Sequence, residues 1–514
     1  MSGLEGNSAL YFVDRHAQGP LADKPAFVEA SGAKRTMTYG ELAADSGRMA
    51  ELYEKHGIRR EDRVAMLVLD QVEFPVIFWG SLKAGVIPVA LNTLLAGDVY
   101  DVILRDSRAQ ALFVSVELLP VVAPVLEGNP YLSKIFVIGG DSNDYLDFGS
   151  ELKSCQPREA LPVTSDEGAF WLYSSGSTGQ PKGVRHVHGS LKYTADTYGT
   201  QVLGIREEDI VYSAAKFFFA YGLGNAMTFP MSVGATTILL SGRPTPDSVL
   251  ELVNEYRPTI FCGVPTLYAA LNAHVESGKG KLDASLRRCI SAGEALPEEV
   301  GKSWEAITKC EILDGVGSTE MLHIFLSNRS DDVVYGTSGV AVPGYELRLV
   351  DETGNDVGNG EVGELLVNGD SAAADYWNQR TKTRTTFEGE WTRTGDKYER
   401  RADGRLVYCG RTDDMFKVSG IWVSPFEVEQ SLASHKLVLE AAVVPFRDDD
   451  DLEKPKAFVV LKDGVAEDNI SEVLKSHVQN QIGKWKYPRR IEIVGELPKT
   501  ATGKIQRFKL RDQA

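Results

Sequence analysis

The sequence predicts an α/β fold: a large N-terminal body of helix-covered sheets, a small antiparallel β region and a C-terminal α+β lobe. Three observations carry this. Helical and strand patterns alternate over roughly the first 160 residues, the rhythm of parallel sheets covered by helices. Near Tyr345 the pattern changes to short strands separated by Gly- and Asp-rich turns. The polar run Gly410-Arg411-Thr412-Asp413-Asp414 then precedes a last stretch of mixed elements. Thr38 is placed to cap a helix, with Glu41 completing a capping box. Residues 63–69 (RVAMLVL) read as a buried strand, 76–84 as helix and 87–91 as strand, and 111–116 and 134–138 continue the series. Residues 346–350, 362–367 and 405–408 read as the short strands. Residues 424–432 read as helix, 438–445 and 457–461 as strands and 470–482 as helix. A domain boundary is placed at Asp413, dividing residues 1–412 from 413–514.

The chain has 514 residues, of which 43% are hydrophobic and 25% charged, so it can bury a core without disulfide staples. Its 55 Lys and Arg stand against 72 Asp and Glu, a formal charge of −17. That argues against a nucleic-acid or membrane partner, although a local patch of cations and backbone N–H groups can still bind an anion. The first residues have neither the basic start nor the apolar run of a signal peptide, and no run of about 18 apolar residues suggests a membrane span. The five cysteines, Cys155, Cys262, Cys289, Cys310 and Cys409, are scattered without a CxxC pair. This fits inert thiols in a reducing cytoplasm and no structural zinc.

The most informative stretch is Tyr173-Ser174-Ser175-Gly176-Ser177-Thr178-Gly179-Gln180-Pro181-Lys182-Gly183, directly after the apolar Ala169-Phe170-Trp171-Leu172. Three glycines allow close backbone approach, the hydroxyls and N–H groups can wrap a polyphosphate, and one lysine supplies charge. A Walker A loop is excluded because Lys182 is followed by Gly183 rather than a hydroxyl residue.

This loop resembles the phosphate signature of the adenylate-forming enzymes, which include acyl- and aryl-CoA synthetases, peptide-synthetase adenylation domains and luciferases. Further segments resemble that family in its order: Ser291-Ala292-Gly293-Glu294-Ala295-Leu296-Pro297, Asp314-Gly315-Val316-Gly317-Ser318-Thr319-Glu320, Trp391-Thr392-Arg393-Thr394-Gly395-Asp396, Gly410-Arg411-Thr412-Asp413-Asp414 and Pro498-Lys499-Thr500-Ala501-Thr502-Gly503-Lys504-Ile505. The resemblance implies ATP, CoA and Mg²⁺ as ligands. It implies that Ser174, Ser175, Gly176, Ser177, Thr178, Gly179 and Lys182 hold phosphate. By the same carry-over Gly293, Glu294, Ala295, Asp314, Gly315 and Val316 contact adenine, and Asp396 with Arg411 contacts the ribose. Thr319 would meet the α-phosphate, Glu320 would hold Mg²⁺, and Lys504 would bridge carboxylate and α-phosphate. The C-terminal lobe would be a mobile lid turning about Asp413, bringing Gly420 to the thiol path.

Lys216-Phe217-Phe218-Phe219-Ala220-Tyr221-Gly222-Leu223-Gly224-Asn225 reads by composition as a core strand, yet its spelling resembles the acid pocket of the benzoate–CoA ligase branch. The resemblance makes Phe219 an aromatic gate and places Ala220, Tyr221, Gly317, His323 and Ile324 around the ring. It implies an ATP-dependent aryl-CoA ligase acting on benzoate or a small substituted benzoate. Cys262, Val264 and Leu267 are not the residues usual for that branch, which makes 2-aminobenzoate a candidate. The alternative is a stand-alone aryl-acid adenylating enzyme that loads a carrier protein. The sequence shows no carrier module after Lys504. A non-catalytic relative and a luciferase rank behind both. The expected state is a cytoplasmic monomer or homodimer. His186-Val187-His188 reads as structural for want of a third metal ligand. Residues 448–451 read as a solvated acidic loop, and residues 484–490 (KWKYPRR) either meet CoA phosphates or finish a helix.

Overall fold

The computed structural model describes residues 6–142, 144–175, 181–282, 285–418, 421–448, 452–462, 469–483, 486–499, 505–511 and 513. The chain forms two compact units, one of residues 1–347 with 367–392, the other of residues 348–366 with 393–514.

The first unit contains two large sheets. In the eight-stranded sheet, Gly168–Ser175, Ile87–Ala90, Arg63–Leu67, Ala111–Ser115, Lys134–Ile138 and Leu146–Asp147 run parallel. Pro181–Val187 and Asp375–Tyr376 complete one edge antiparallel. In the nine-stranded sheet, Ile312–Gly317, Arg288–Ser291, Ile260–Gly263, Ile210–Ser213, Thr236–Leu239 and Pro25–Glu29 form the parallel centre. The strands are short Val-, Ile- and Phe-rich runs with little polar alternation, as sheets covered on both faces require. Leu112, Val114, Val137 and Trp171 lie in one core cluster, and Phe261, Tyr268, Cys289 and Trp304 in another.

The second unit is built on Glu346–Val350, Val362–Asn368, Trp391–Arg400 and Leu406–Arg411, the last two antiparallel. They are followed by the hairpin Phe416–Val418 with Ile421–Val423 and the three-stranded sheet Val438–Arg447, Glu453–Leu461 and Arg490–Ile493. Helices Pro425–Ala433 and Ile470–Ile482 pack on that sheet through Val428, Leu432, Leu474 and Val478. The Tyr408 ring meets Phe426 with centroids 5.1 Å apart, which joins the antiparallel strands to this lobe. By packing, residues 348–366 and 393 onward form the second unit, so the packing division lies earlier in the chain than the boundary expected at Asp413. Among the described residues, no helix is long and apolar enough to cross a membrane.

Most expected elements lie within a few residues of their observed ends. The expected core strand at Lys216–Asn225 does not form. That segment turns tightly and becomes helical at Ala220–Leu223, because a side chain at Gly222 would meet the Lys216 carbonyl at 2.0 Å and only glycine can take the turn. Four cysteines are buried, Cys409 is half-buried, and all five are free thiols. Lys486 pairs with Glu427 at 2.7 Å and Arg490 lies 4.4 Å from the Phe446 ring centroid, so these two basic residues pack within the lobe. Residues 449–451, 484 and 485 lie outside the described residues.

The capping box is present. Glu41 N–H donates to Thr38 Oγ1 at 3.2 Å, and Thr38 N–H donates to Glu41 Oε2 at 2.8 Å. Thr38→Ala is expected to destabilise the first unit by about 1 kcal/mol. A urea titration should show a lower midpoint with an unchanged slope.

Candidate active site

The glycine- and hydroxyl-rich loop is flanked by a β-hairpin. Gly168–Ser175 leads in and Pro181–Val187 leads out, with Ser174 opposite Lys182. Ser174 Oγ is buried and has no hydrogen-bond partner among the described residues, so a ligand oxygen can satisfy it. Gly176, Ser177, Thr178, Gly179 and the side chain of Ser175 lie outside the described residues.

Alternation along the outgoing strand sends Lys182, Val184 and His186 to one face. Lys182 Nζ lies 3.4 Å from Glu320 Oε1 and 3.4 Å from the Tyr376 hydroxyl. Tyr376 in turn donates to Glu320 Oε1 at 2.7 Å. Its own strand pairs antiparallel with the outgoing strand, Tyr376 opposite Val184, and this delivers the phenol beside Lys182. Two residues along, His186 stacks on Phe170 with centroids 5.2 Å apart and donates Nε2–H to the Thr319 carbonyl at 2.8 Å. Burial pushes its pKa down to about 4, so the ring is neutral and the carbonyl selects the Nε2–H tautomer. One strand thus grips the turn of Thr319 and Glu320 at two points. His188 packs elsewhere, its Nδ1 2.7 Å from Ser8 Oγ.

Burial raises the pKa of the Glu320 carboxyl. Lys182, Tyr376 and the residue's own N–H outweigh that effect and hold it below the ordinary glutamate value. The Lys182 and Tyr376 donors both meet Oε1 rather than Oε2. A single ionised carboxylate so placed fits Mg²⁺, which binds through one or two carboxylates together with phosphate oxygens and water. Among the described residues no group of three or more His, Cys, Asp or Glu forms a cage for a metal.

The adenine-type segments sit at the carboxyl ends of parallel strands, where open α/β sheets bind ligands. Arg288–Ser291 and Ile312–Gly317 are neighbours, with Ser291 opposite Asp314. Gly293, Glu294 and Ala295 follow the first strand, while Asp314, Gly315 and Val316 lie on the second. Gly293 has φ +95°, a conformation that glycine takes without strain. Leu296 N–H approaches Asp314 Oδ2 at 3.4 Å. Burial pushes the Asp314 carboxyl up to about 8, so it carries a proton at neutral pH and can offer both a donor and an acceptor. Its Oδ1 has no hydrogen-bond partner among the described residues.

Tyr221 and His323 come together at the proposed acid pocket, their ring centroids 5.7 Å apart and nearly parallel. His323 is buried between Tyr198 and Phe229, with centroids at 5.1 Å and 4.5 Å, and its Nε2 is 3.4 Å from the Tyr221 carbonyl. Burial pushes its pKa down to about 3, so it is a neutral ring. A side chain at Gly224 would come within 2.4 Å of His323 Cδ2, so this glycine makes the seat for the imidazole. The Tyr221 hydroxyl lies 3.1 Å from the Gly263 carbonyl and 3.2 Å from that of Ile290, so its proton is committed to main chain. Close packing requires a glycine at 317, since a Cβ there would meet the His323 carbonyl at 2.5 Å. Ala220 and Ile324 are buried, and half-buried Phe219 leans on Phe218 with centroids 4.4 Å apart.

In the second unit, Asp396 and Arg411 face each other across an antiparallel strand pair. Arg411 Nη1 donates to Asp396 Oδ1 at 2.9 Å and to the Thr394 carbonyl at 3.0 Å. Gly395, with φ +71°, lies under the guanidinium. Asp413 is exposed in a turn whose neighbours are fixed by Thr412 N–H to the Gly395 carbonyl and Asp414 N–H to the Arg411 carbonyl. Gly420 and Lys504 lie outside the described residues. Sequence reasoning missed Tyr376, which no motif spacing marks, and the bracing role of His186.

A parallel α/β body with a hairpin-flanked phosphate-type loop and carboxylates at the strand ends defines a nucleotide-binding enzyme. The chain belongs to the AMP-binding enzyme family: that family's model matches residues 13–377, and the AMP-binding enzyme C-terminal domain matches residues 427–504. It is 52% identical over 513 residues to the benzoate–CoA ligase of Thauera aromatica, covering 98% of this chain and 95% of that one. It is 51% identical over 509 residues to the 4-hydroxybenzoate–CoA/benzoate–CoA ligase of Rhodopseudomonas palustris, covering 98% and 94%. The crystal structure of the anthranilate CoA ligase AuaEII in complex with anthranoyl-AMP matches with a TM-score of 0.92 at 41% identity, covering 99% of this chain and 97% of that one.

Tyr376→Phe removes one donor to the ionised Glu320, an interaction of about 1.5–3 kcal/mol. Because Tyr376 helps to depress the carboxyl pKa, its loss moves that pKa upward. The acid limb of carboxylate-dependent pyrophosphate release should move to higher pH, with a smaller change near pH 8.

Proposed function

We propose that this chain is an ATP-dependent aryl-CoA ligase that converts benzoate, or a small substituted benzoate such as 2-aminobenzoate, to its aroyl-CoA with release of AMP and pyrophosphate. The observation that carries the reading is the turn of residues 318–323. It presents Thr319 and the ionised Glu320 on one side and seats His323 against Tyr221 on the other, a phosphate-type and a ring-type surface within one turn. The names of the two relatives and of the solved structure support the aryl acid and CoA.

In the first half-reaction a carboxylate oxygen of the acid bonds to the α-phosphorus of ATP, and the bond to pyrophosphate breaks. Two anions must meet, so donors and positive charge have to be held in place beforehand. Lys182, Ser174 and the loop N–H groups supply these for phosphate, Thr319 donates to the α-phosphate, and Lys504 bridges the two anions. Mg²⁺ on Glu320, when bound, neutralises charge on the departing pyrophosphate. Asp396, held by Arg411, accepts from the ribose hydroxyls, and Asp314 with Gly293, Glu294 and Ala295 reads adenine. In the second half-reaction the CoA sulfur bonds to the acyl carbon, and the acyl–phosphate bond breaks to release AMP. Rotation of the C-terminal lid about Asp413 removes Lys504 and admits the thiol past Gly420. The free thiols support a reducing compartment such as the cytoplasm.

Turnover of benzoate, 2-aminobenzoate and 4-hydroxybenzoate with ATP and CoA tests the reading. Thioester should form with at least one of the three, and fatty acids should be poor substrates. Faster transfer to a carrier protein than to CoA would instead favour the carrier-loading enzyme. The hinge has its own test: Asp413→Pro should leave adenylate formation within about threefold of the parent while lowering thioester formation about a hundredfold. Equal loss of both half-reactions would reject rotation at this residue.

A further inference from the structure

A buried ion pair, whose acid Asp70 belongs to no motif, lies at the root of the segment carrying Phe219, Ala220 and Tyr221. Asp70 follows Arg63–Leu67 at the centre of the eight-stranded sheet, and Lys216 follows Ile210–Ser213 in the nine-stranded sheet. Lys216 Nζ lies 3.9 Å from Asp70 Oδ2, and Phe217 N–H donates to Asp70 Oδ1 at 3.2 Å. Lys216 Nζ also donates to the carbonyls of Leu240 and, at 2.8 Å, Gly242, beyond the strand Thr236–Leu239. The Phe217 ring is fixed between Phe74, at 4.8 Å, and Phe27, at 6.1 Å.

From this anchor the chain turns within hydrogen-bond reach. Phe219 N–H donates to the Lys216 carbonyl at 3.0 Å, and Leu223 N–H donates to the Phe219 carbonyl at 2.7 Å. Gly222 is pressed against the same Lys216 carbonyl. A displacement at Lys216 is therefore passed to Phe219, Ala220 and Tyr221 within one turn. We propose that Asp70 is a positioning residue for aryl-acid binding, fixing Lys216 and Phe217 so that the segment from Phe219 to Tyr221 holds its shape against the ring. The inference rests on the reading of that segment as the acid pocket.

A plain hydrophobic contact would make a cheaper brace, since a buried pair costs desolvation on both sides. Burial pushes the Asp70 carboxyl up to about 6, while Lys216 and the Phe217 N–H pull it back. Burial also lowers the Lys216 pKa, and Asp70 opposes that. The groups whose charge couples to Asp70 are Lys216 and the Tyr212 phenol. As pH falls through about 6, Asp70 takes up a proton and Lys216 loses its counter-charge.

The test measures KM for benzoate and for ATP between pH 5.5 and pH 8 in the full chain. In the parent, the benzoate KM should rise below about pH 6 while the ATP KM changes less. Asp70→Asn keeps an acceptor for Phe217 but loses the charge. It should raise the benzoate KM about tenfold at pH 7.5, leave the ATP KM within about twofold, and abolish the acid limb of the benzoate KM. An unchanged benzoate KM, a parallel rise in both KM values, or an acid limb retained in Asp70→Asn would overturn the inference. Should that variant not fold, Lys216→Gln and the parent profile decide on the same criteria. Ala220→Phe tests the underlying reading separately: if it leaves the benzoate KM unchanged, the pocket lies elsewhere, whatever Asp70 does.

Discussion

Holding one carboxylate ionised inside the protein sets the terms for everything around it. Glu320 sits on a turn between two strands, largely out of water, and a buried carboxylate without partners would simply take up a proton. Lys182 and Tyr376 prevent this from two strands of the other sheet. They arrive together only because Asp375–Tyr376 pairs in register with Pro181–Val187. His186 fixes the preceding carbonyl from the same strand face as Lys182. The hairpin that frames the phosphate-type loop is thus also the clamp that sets the pose of Thr319 and Glu320. Clamp and acid are one mechanical unit, although the residues lie far apart in the chain.

The ring side of the turn obeys a different economy. Its polar groups are mostly spent on main chain: the Tyr221 hydroxyl on two carbonyls at the ends of neighbouring strands, and His323 Nε2 on the Tyr221 carbonyl. What remains is a flat aromatic surface with the Nδ1 of a neutral histidine, which has no partner among the described residues. An apolar wall of this kind discriminates by size and shape, and rejects an added hydroxyl only weakly.

The alternation of helices and strands, the capping box at Thr38 and the strand-end glycines were legible because each depends on neighbours in sequence. Residues 134–138, 346–350 and 470–482 were expected with their observed limits for the same reason. Lys216–Asn225 misled by composition, since three consecutive phenylalanines suit a strand until the carbonyl under Gly222 is taken into account. Tyr376 and Asp70 were invisible because their roles come from pairings across sheets, and a lone Tyr or Asp has no local signature. At Gly317 the contact with the His323 backbone, which also requires a glycine, has no local signature.

The acidity of the chain as a whole can be reconciled with anionic ligands by following individual carboxyls. A net charge of −17 says nothing about where the charge acts, and solvated carboxylates are screened over a Debye length of about 8 Å. Burial removes the Asp314 charge by raising its pKa to about 8. Lys182 offsets the charge of Glu320, and Arg411 offsets that of Asp396. Each of these three carboxyls is therefore protonated or matched by a cation within its own unit. A surface made of such groups does not have to be strongly basic to accept an anion. It has to be close to neutral and rich in preorganised donors, and that condition is compatible with a surface of the opposite sign.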